Sequence, residues 1–223
     1  MCFSIEASFA VGTALLPAGA YCVHAAARKR PRLLTLAIVP FLFGIQQIAE
    51  GFVWLGLQRE DPEMVRCASL AFLFFALAFW PFWFPFMTAQ QEPSSRARAF
   101  YFALATVSIA WFWVLYFPII TGPQSLLVTR VDHHSIRYEY ETLLIYDYVP
   151  RNILRLLYFG CVAIPMVFAK NGLGRTPGII FGGSAVIAAV LFHYAFVSVW
   201  CFFAAVLTGY LCRMFYRLEK VAS

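Results

Sequence analysis

Residues 33–57, LLTLAIVPFLFGIQQIAEGFVWLGL, decide the fold class of this chain. The stretch carries a single charged residue, Glu50, and a membrane-spanning helix needs about 20 mainly apolar residues. A charged carboxylate in the hydrocarbon of a bilayer costs roughly 2.5–3.5 kcal/mol. Glu50 is therefore expected to face other helices rather than lipid, and to have a polar partner there.

The rest of the chain has the same character. Of its 223 residues, 62% are hydrophobic and 13% are charged, whereas soluble domains have about 25% charged residues. The sequence therefore predicts an all-α, polytopic transmembrane bundle of seven helices, forming one domain over residues 1–223. The predicted spans are 7–27, 33–57, 68–88, 99–121, 152–169, 177–196 and 197–216.

The basic residues predict the orientation of these spans, because loops on the cytoplasmic side are enriched in Lys and Arg. With the N-terminus outside, eleven of the 17 Lys and Arg residues, including every lysine, lie on the inner side. The orientation is then N-out and C-in, in a bacterial cytoplasmic membrane. The first span follows MCFSIE, which has no basic residue, and precedes RKRPR, so it is interpreted as an anchor rather than a cleaved signal peptide.

The net charge of +6 is spread along the inner loops. This distribution favours lipid headgroups as the partner and argues against nucleic acid. On the outer side, residues 122–151 form the longest loop. The alternation in RYEYETLLIYDYV, residues 137–149, predicts a short hairpin or a flap lying at the membrane interface.

One face of the second helix is polar. Gln46, Gln47, Glu50 and Trp54 are spaced by three or four residues and so share this face. A rise of about 1.5 Å per residue puts Glu50 roughly 25 Å above Leu33, in the outer third of the membrane. The face is expected to point into the bundle.

Other polar residues are predicted at the same level. His193 lies near the outer end of the sixth helix, and Ser198, Trp200 and Cys201 begin the seventh. The N-terminal string MCFSIEASF adds Cys2, Ser4, Glu6 and Ser8 at the outer mouth. Together with Gln46, Gln47 and Glu50, the residues of helices six and seven are predicted to line a ligand- or ion-binding pocket that opens outward.

His193 is the expected partner of Glu50, either as an imidazolium or in a neutral pair that shares one proton. Structural roles remain open for the other residues. The two glutamines serve equally well as hydrogen-bonding groups between helices, and Ser198 as the cap of the last helix.

Glu50, His193 and Cys201 also form a candidate metal site, to which Asp132, His133 and His134 of the outer loop add potential ligands. Such a set suits zinc or copper. Cys2 and Cys201 are alternatively a candidate disulfide, because the outer side is the oxidising compartment. As a third alternative, the outer cysteines, which include Cys67, are free thiols. A retinal cofactor is not expected, since the predicted spans contain no lysine for a Schiff base.

The strings MCFSIEASF, FGIQQIAEGFVWLGL and SVWCFFAA resemble a functionally uncharacterised family of bacterial seven-helix integral membrane proteins with an MCFS N-terminus. The resemblance extends from Met1 to about Thr208. It implies the seven-helix fold and a multi-pass membrane location, and it implies no activity.

Three functions are compatible with these features. The first is small-solute or ion transport or sensing, with Glu50 binding the cation or proton. The second is a membrane-embedded, metal-dependent hydrolase of lipid-derived substrates, with Glu50 as general base or metal ligand. The third is an accessory subunit of a complex with other membrane proteins, in which the polar residues only fix the helix register.

Overall fold

The computed structural model describes residues 4–132, 134–140, 142–168, 176–191 and 196–221. Helices make up most of this part of the chain, and the longer ones are labelled α1–α7 in chain order. They are α1 (Ile5–Lys29), α2 (Pro31–Gln58), α3 (Pro62–Gln91), α4 (Ser95–Thr121), α5 (Arg151–Phe168), α6 (Thr176–Leu191) and α7 (Phe196–Val221).

The all-α class is confirmed, and the lengths of the helices are those of a multi-pass membrane protein. In the described part of the chain, six helices are long and apolar enough to cross a bilayer: all but α6. The described part of α6 has 16 residues. Seven spans and the N-out orientation therefore stay predictions, as does the boundary near residue 196, because residues 192–195 lie outside the described ranges.

Local sequence explains where α1 begins and ends. Ser4 is extended and caps the helix, its Oγ accepting a hydrogen bond of 3.2 Å from the Ala7 N–H. At the other end the chain leaves the helix at Arg30, immediately before Pro31, whose ring lacks the N–H that a continuing helix needs. Pro31 then starts α2, where that missing donor costs nothing.

α3 and α4 each contain a π-helical segment, Phe74–Phe79 and Phe112–Tyr116. The two segments pack together, with the rings of Phe74 and Tyr116 centred 5.6 Å apart. Tyr158 of α5 donates a hydrogen bond of 2.5 Å to the Ala76 carbonyl within the first segment. A carbonyl whose helical bond is displaced by a π turn is thus satisfied by a neighbouring helix.

The loop between α4 and α5 contains the expected hairpin, but earlier in the chain than predicted. Its strands are β1 (Val128–Asp132) and β2 (Ser135–Glu139), and Arg137 pairs with Asp132 at 3.5 Å. His134 has a φ of 60°, a turn conformation that His adopts more readily than most residues. The alternation that suggested strands over 137–149 ends in a short helix, Ile145–Tyr148.

The chain divides into two compact units. Unit 1 contains Met1–Phe72, Arg130–Arg137 and Ser184–Ser223, and unit 2 contains Leu73–Thr129 and Tyr138–Gly183. A single transmembrane domain over the whole chain stays a prediction. In unit 1, α2 packs along α1, and α7 contacts both helices.

Glycines bring the backbones of α1 and α2 close together. A Cβ on Gly12 would lie 3.0 Å from the Gly44 carbonyl oxygen, and a Cβ on Gly19 would lie 2.4 Å from the Phe41 nitrogen. Because Gly12 meets Gly44 while Gly19, further along α1, meets the earlier residue Phe41, the two helices run antiparallel. Small residues permit this close approach between membrane helices.

Candidate functional site

The polar face of α2 is buried, as the sequence predicts. Gln46, Gln47 and Glu50 are each 0% exposed, in the middle of a helix that is otherwise mainly apolar. Among the described residues of unit 1, Glu50 is the one charged side chain that is buried.

Both carboxylate oxygens of Glu50 accept hydrogen bonds from neutral groups. Ser198 of α7 donates to Oε1 at 2.5 Å, and Gln47 donates from Nε2 to Oε2 at 3.3 Å. The Ser198 hydroxyl is thus directed at Glu50. Pairing of Glu50 with His193 stays a prediction, because His193 lies outside the described residues.

A second hydrogen bond joins α2 and α7 beside the first. Gln46 donates from Nε2 to the Cys201 sulfur at 3.2 Å. Ser198 and Cys201 are three residues apart on α7, while Gln46 and Glu50 are four apart on α2, so each pair lies on one helical face. α2 therefore meets α7 through a polar seam of four side chains. The Cys2–Cys201 disulfide stays a prediction, since Cys2 lies outside the described residues.

α1, which contacts both α2 and α7, also carries a buried polar residue. Ser8 is 0% exposed, and it lies four residues before Gly12, on the face of α1 that packs against Gly44 and Ile48. Because the helices are antiparallel and Ser8 lies one turn before Gly12, Ser8 is at the level of Gln47 to Gly51 on α2. The ring of the adjacent Phe9 is in fact next to Gly51.

Sequence reasoning placed Ser8 at the outer level but did not assign it to the pocket. The signal that identifies it is the four-residue spacing between Ser8 and Gly12, which becomes informative once Gly12 is known to face α2. The pairing of glycines across two helices cannot be inferred from a single string of residues.

Three buried polar atoms of this cluster have no hydrogen-bond partner among the described residues. They are Ser8 Oγ, Gln47 Oε1 and Trp54 Nε1. Gln47 and Trp54 are seven residues apart on the same face of α2 as Glu50. Buried polar atoms are satisfied in most proteins, so an unpartnered group of this kind calls for an explanation.

The remaining predicted site residues are less directly tested. Trp200 is buried, and its ring stacks on that of Phe196 with the centroids 5.4 Å apart. The predicted contact of Trp200 with a ligand stays a prediction. In the described ranges no three His, Cys, Asp or Glu residues are grouped so as to hold a metal ion. His133 and His193 lie outside those ranges, and the zinc or copper site likewise stays a prediction.

The family resemblance is confirmed in its general form. The model of a family of unknown function, DUF6629, matches residues 1–222 of the chain. No curated protein and no solved structure matches the chain significantly. A bacterial origin stays a prediction.

Proposed function

Because the chain belongs to the DUF6629 family, whose function is unknown, we propose a function from the site itself. The protein is a multi-pass membrane protein, N-out and C-in in the cytoplasmic membrane, that binds a small solute or an ion at Glu50 for transport or sensing. The observation that carries this proposal is the complete burial of Glu50, whose hydrogen bonds among the described residues come from the neutral donors Ser198 and Gln47.

Neutral donors do not cancel the charge of Glu50. Hydrogen bonds from Ser198 and Gln47 stabilise a carboxylate, but the net charge stays in a medium where a lone ion is costly. The site becomes neutral when the carboxylate takes up a proton or a cation. Ionisable side chains inside membrane helices commonly mark proton and ion pathways for this reason.

The hydrolase and accessory-subunit functions have less support. The described partners of Glu50 are a hydroxyl and an amide, and neither is a group that the hydrolase function alone requires. A purely structural cluster would satisfy its own hydrogen bonds, whereas Ser8 Oγ and Gln47 Oε1 have no partner among the described residues.

The proposal is tested with dicyclohexylcarbodiimide, an apolar reagent that adds covalently to protonated carboxyl groups inside membranes. Intact-mass measurement of the protein in liposomes should show one adduct, and Glu50→Gln should abolish it. Glu92→Gln is the matched control, because Glu92 is a second buried carboxyl group and belongs to unit 2.

Proton or solute uptake into the same liposomes gives the functional result. We expect Glu50→Gln to abolish uptake while the protein still elutes as a single folded species. An adduct that persists in Glu50→Gln, or uptake unchanged by that substitution, would contradict the proposal and favour a structural role for the cluster.

A further inference from the structure

We propose that the Glu50 site binds a monovalent alkali cation of the Na⁺ type, with the Glu50 carboxylate, Gln47 Oε1 and Ser8 Oγ as its ligands. This inference rests on the proposed function and names the ion that the site takes. It also assigns Ser8, a residue of α1, to a site otherwise formed by α2 and α7.

Two of the unpartnered buried atoms are oxygens. The amide nitrogen of Gln47 is bonded to Glu50 and that of Gln46 to Cys201, so both of these donors already have an acceptor. Gln47 Oε1 and Ser8 Oγ are both fully buried and have no partner among the described residues. Carboxylate, amide and hydroxyl oxygens are the ligands that hard cations prefer.

Charge favours a monovalent cation. Among the described residues of unit 1, Glu50 is the one buried charged side chain, and a monovalent cation matches its single negative charge. A divalent cation would leave a net positive charge in a low-dielectric environment, and an anion would add to the negative charge; both are costly.

The position of Ser8 also favours this site. Ser8 and Gln47 lie at the same level of two helices that Gly12 and Gly44 bring into backbone contact. Ser198 of α7 donates to Glu50 Oε1, and this bond fixes the orientation of the carboxylate. Ser198 is therefore a positioning residue rather than a ligand of the cation.

The experiment measures the thermal stability of the detergent-purified protein in NaCl and in choline chloride at equal ionic strength. A ligand that binds only the folded state stabilises it by about 2.7 kcal/mol when present at a hundredfold excess over Kd. For a chain of this size, Tm should rise by roughly 5–10 °C and then saturate. Na⁺ should also protect Glu50 from carbodiimide.

Variants test the ligands. Glu50→Gln should abolish the Na⁺-dependent rise in Tm, and Ser8→Ala should weaken apparent Na⁺ affinity at least roughly tenfold, or about 1.4 kcal/mol. Ser108→Ala is the matched control. Ser108 is equally buried, belongs to unit 2 and donates to the Leu104 carbonyl at 2.8 Å, so its loss should leave the Na⁺ response unchanged.

The outcomes separate this inference from the proposed function. If carbodiimide labels Glu50 but Na⁺ neither protects it nor raises Tm, the cation is wrong and the carboxylate acts as a proton site. If neither labelling nor stabilisation occurs, both proposals fail.

Stabilisation by Ca²⁺ but not by Na⁺ would overturn the charge argument. An unchanged Na⁺ affinity in Ser8→Ala would remove Ser8 from the site, and the protection assay on the unaltered protein remains decisive if that variant does not fold.

Discussion

Gly19→Ala is the substitution whose effect follows most directly from the packing of α1 on α2. The added Cβ would lie 2.4 Å from the nitrogen and 2.6 Å from the Cα of Phe41. Carbon atoms in contact are normally about 3.5–4.0 Å apart, and backbone atoms cannot rotate out of the way. α1 must therefore move away from α2 by roughly 1 Å at this point.

The magnitude follows from two opposing effects. Overpacking costs about 1–3 kcal/mol, and the upper half of that range applies here because the Cβ meets backbone atoms of Phe41. Ala gains up to about 1 kcal/mol over Gly in helix propensity, which leaves a net cost of about 1–2 kcal/mol. At roughly 2–4 °C per kcal/mol, we expect Tm to fall by roughly 2–8 °C. Tm is measured by tryptophan fluorescence on the detergent-purified protein.

Gly209→Ala is the matched control, because Gly209 lies in α7 of the same unit and a Cβ there would meet no atom within 4 Å. Its Tm should stay unchanged or rise slightly. Displacement of α1 should also separate Ser8 from Gln47, so Gly19→Ala should weaken protection of Glu50 by Na⁺. Equal Tm values for the two variants would refute the close packing of α1 on α2.

Three further predictions follow from single contacts and from the orientation. Ser198→Ala should lower the free energy of unfolding by about 1–3 kcal/mol, because it removes the 2.5 Å bond to a buried carboxylate, and an unchanged Tm would contradict that bond. Tyr158→Phe should cost about 0.5–1.5 kcal/mol through loss of the bond to the Ala76 carbonyl, whereas Tyr148→Phe, at an exposed position, should have no effect on Tm. Cys67 is exposed, and a variant that keeps it as its single cysteine should react with a membrane-impermeant maleimide on intact cells; reaction only after permeabilisation would reverse the N-out orientation.

Much of the helical architecture could be predicted from the sequence, because a membrane span is a local property. The stretch 33–57 is mainly apolar, and the structure has a helix there, Pro31–Gln58. Local irregularities were not predictable. The π turns at Phe74–Phe79 and Phe112–Tyr116 pack against each other, and the turn of the hairpin contains His134 with a positive φ. Hydrophobic periodicity carries no signal for either feature.

In the candidate site, too, some features follow from the local sequence and others depend on tertiary packing. The sequence by itself determined that Gln46, Gln47 and Glu50 share a face and that this face is buried, because helical periodicity and the cost of a charge in hydrocarbon are both local. Only the tertiary structure decided that Ser198 donates to Glu50 and that the face of α1 carrying Gly12 packs against α2. Those partners depend on the rotation and vertical position of one helix against another. The rotation and the vertical position are set by contacts such as that of Gly12 with Gly44. Such contacts join residues that are far apart in the chain.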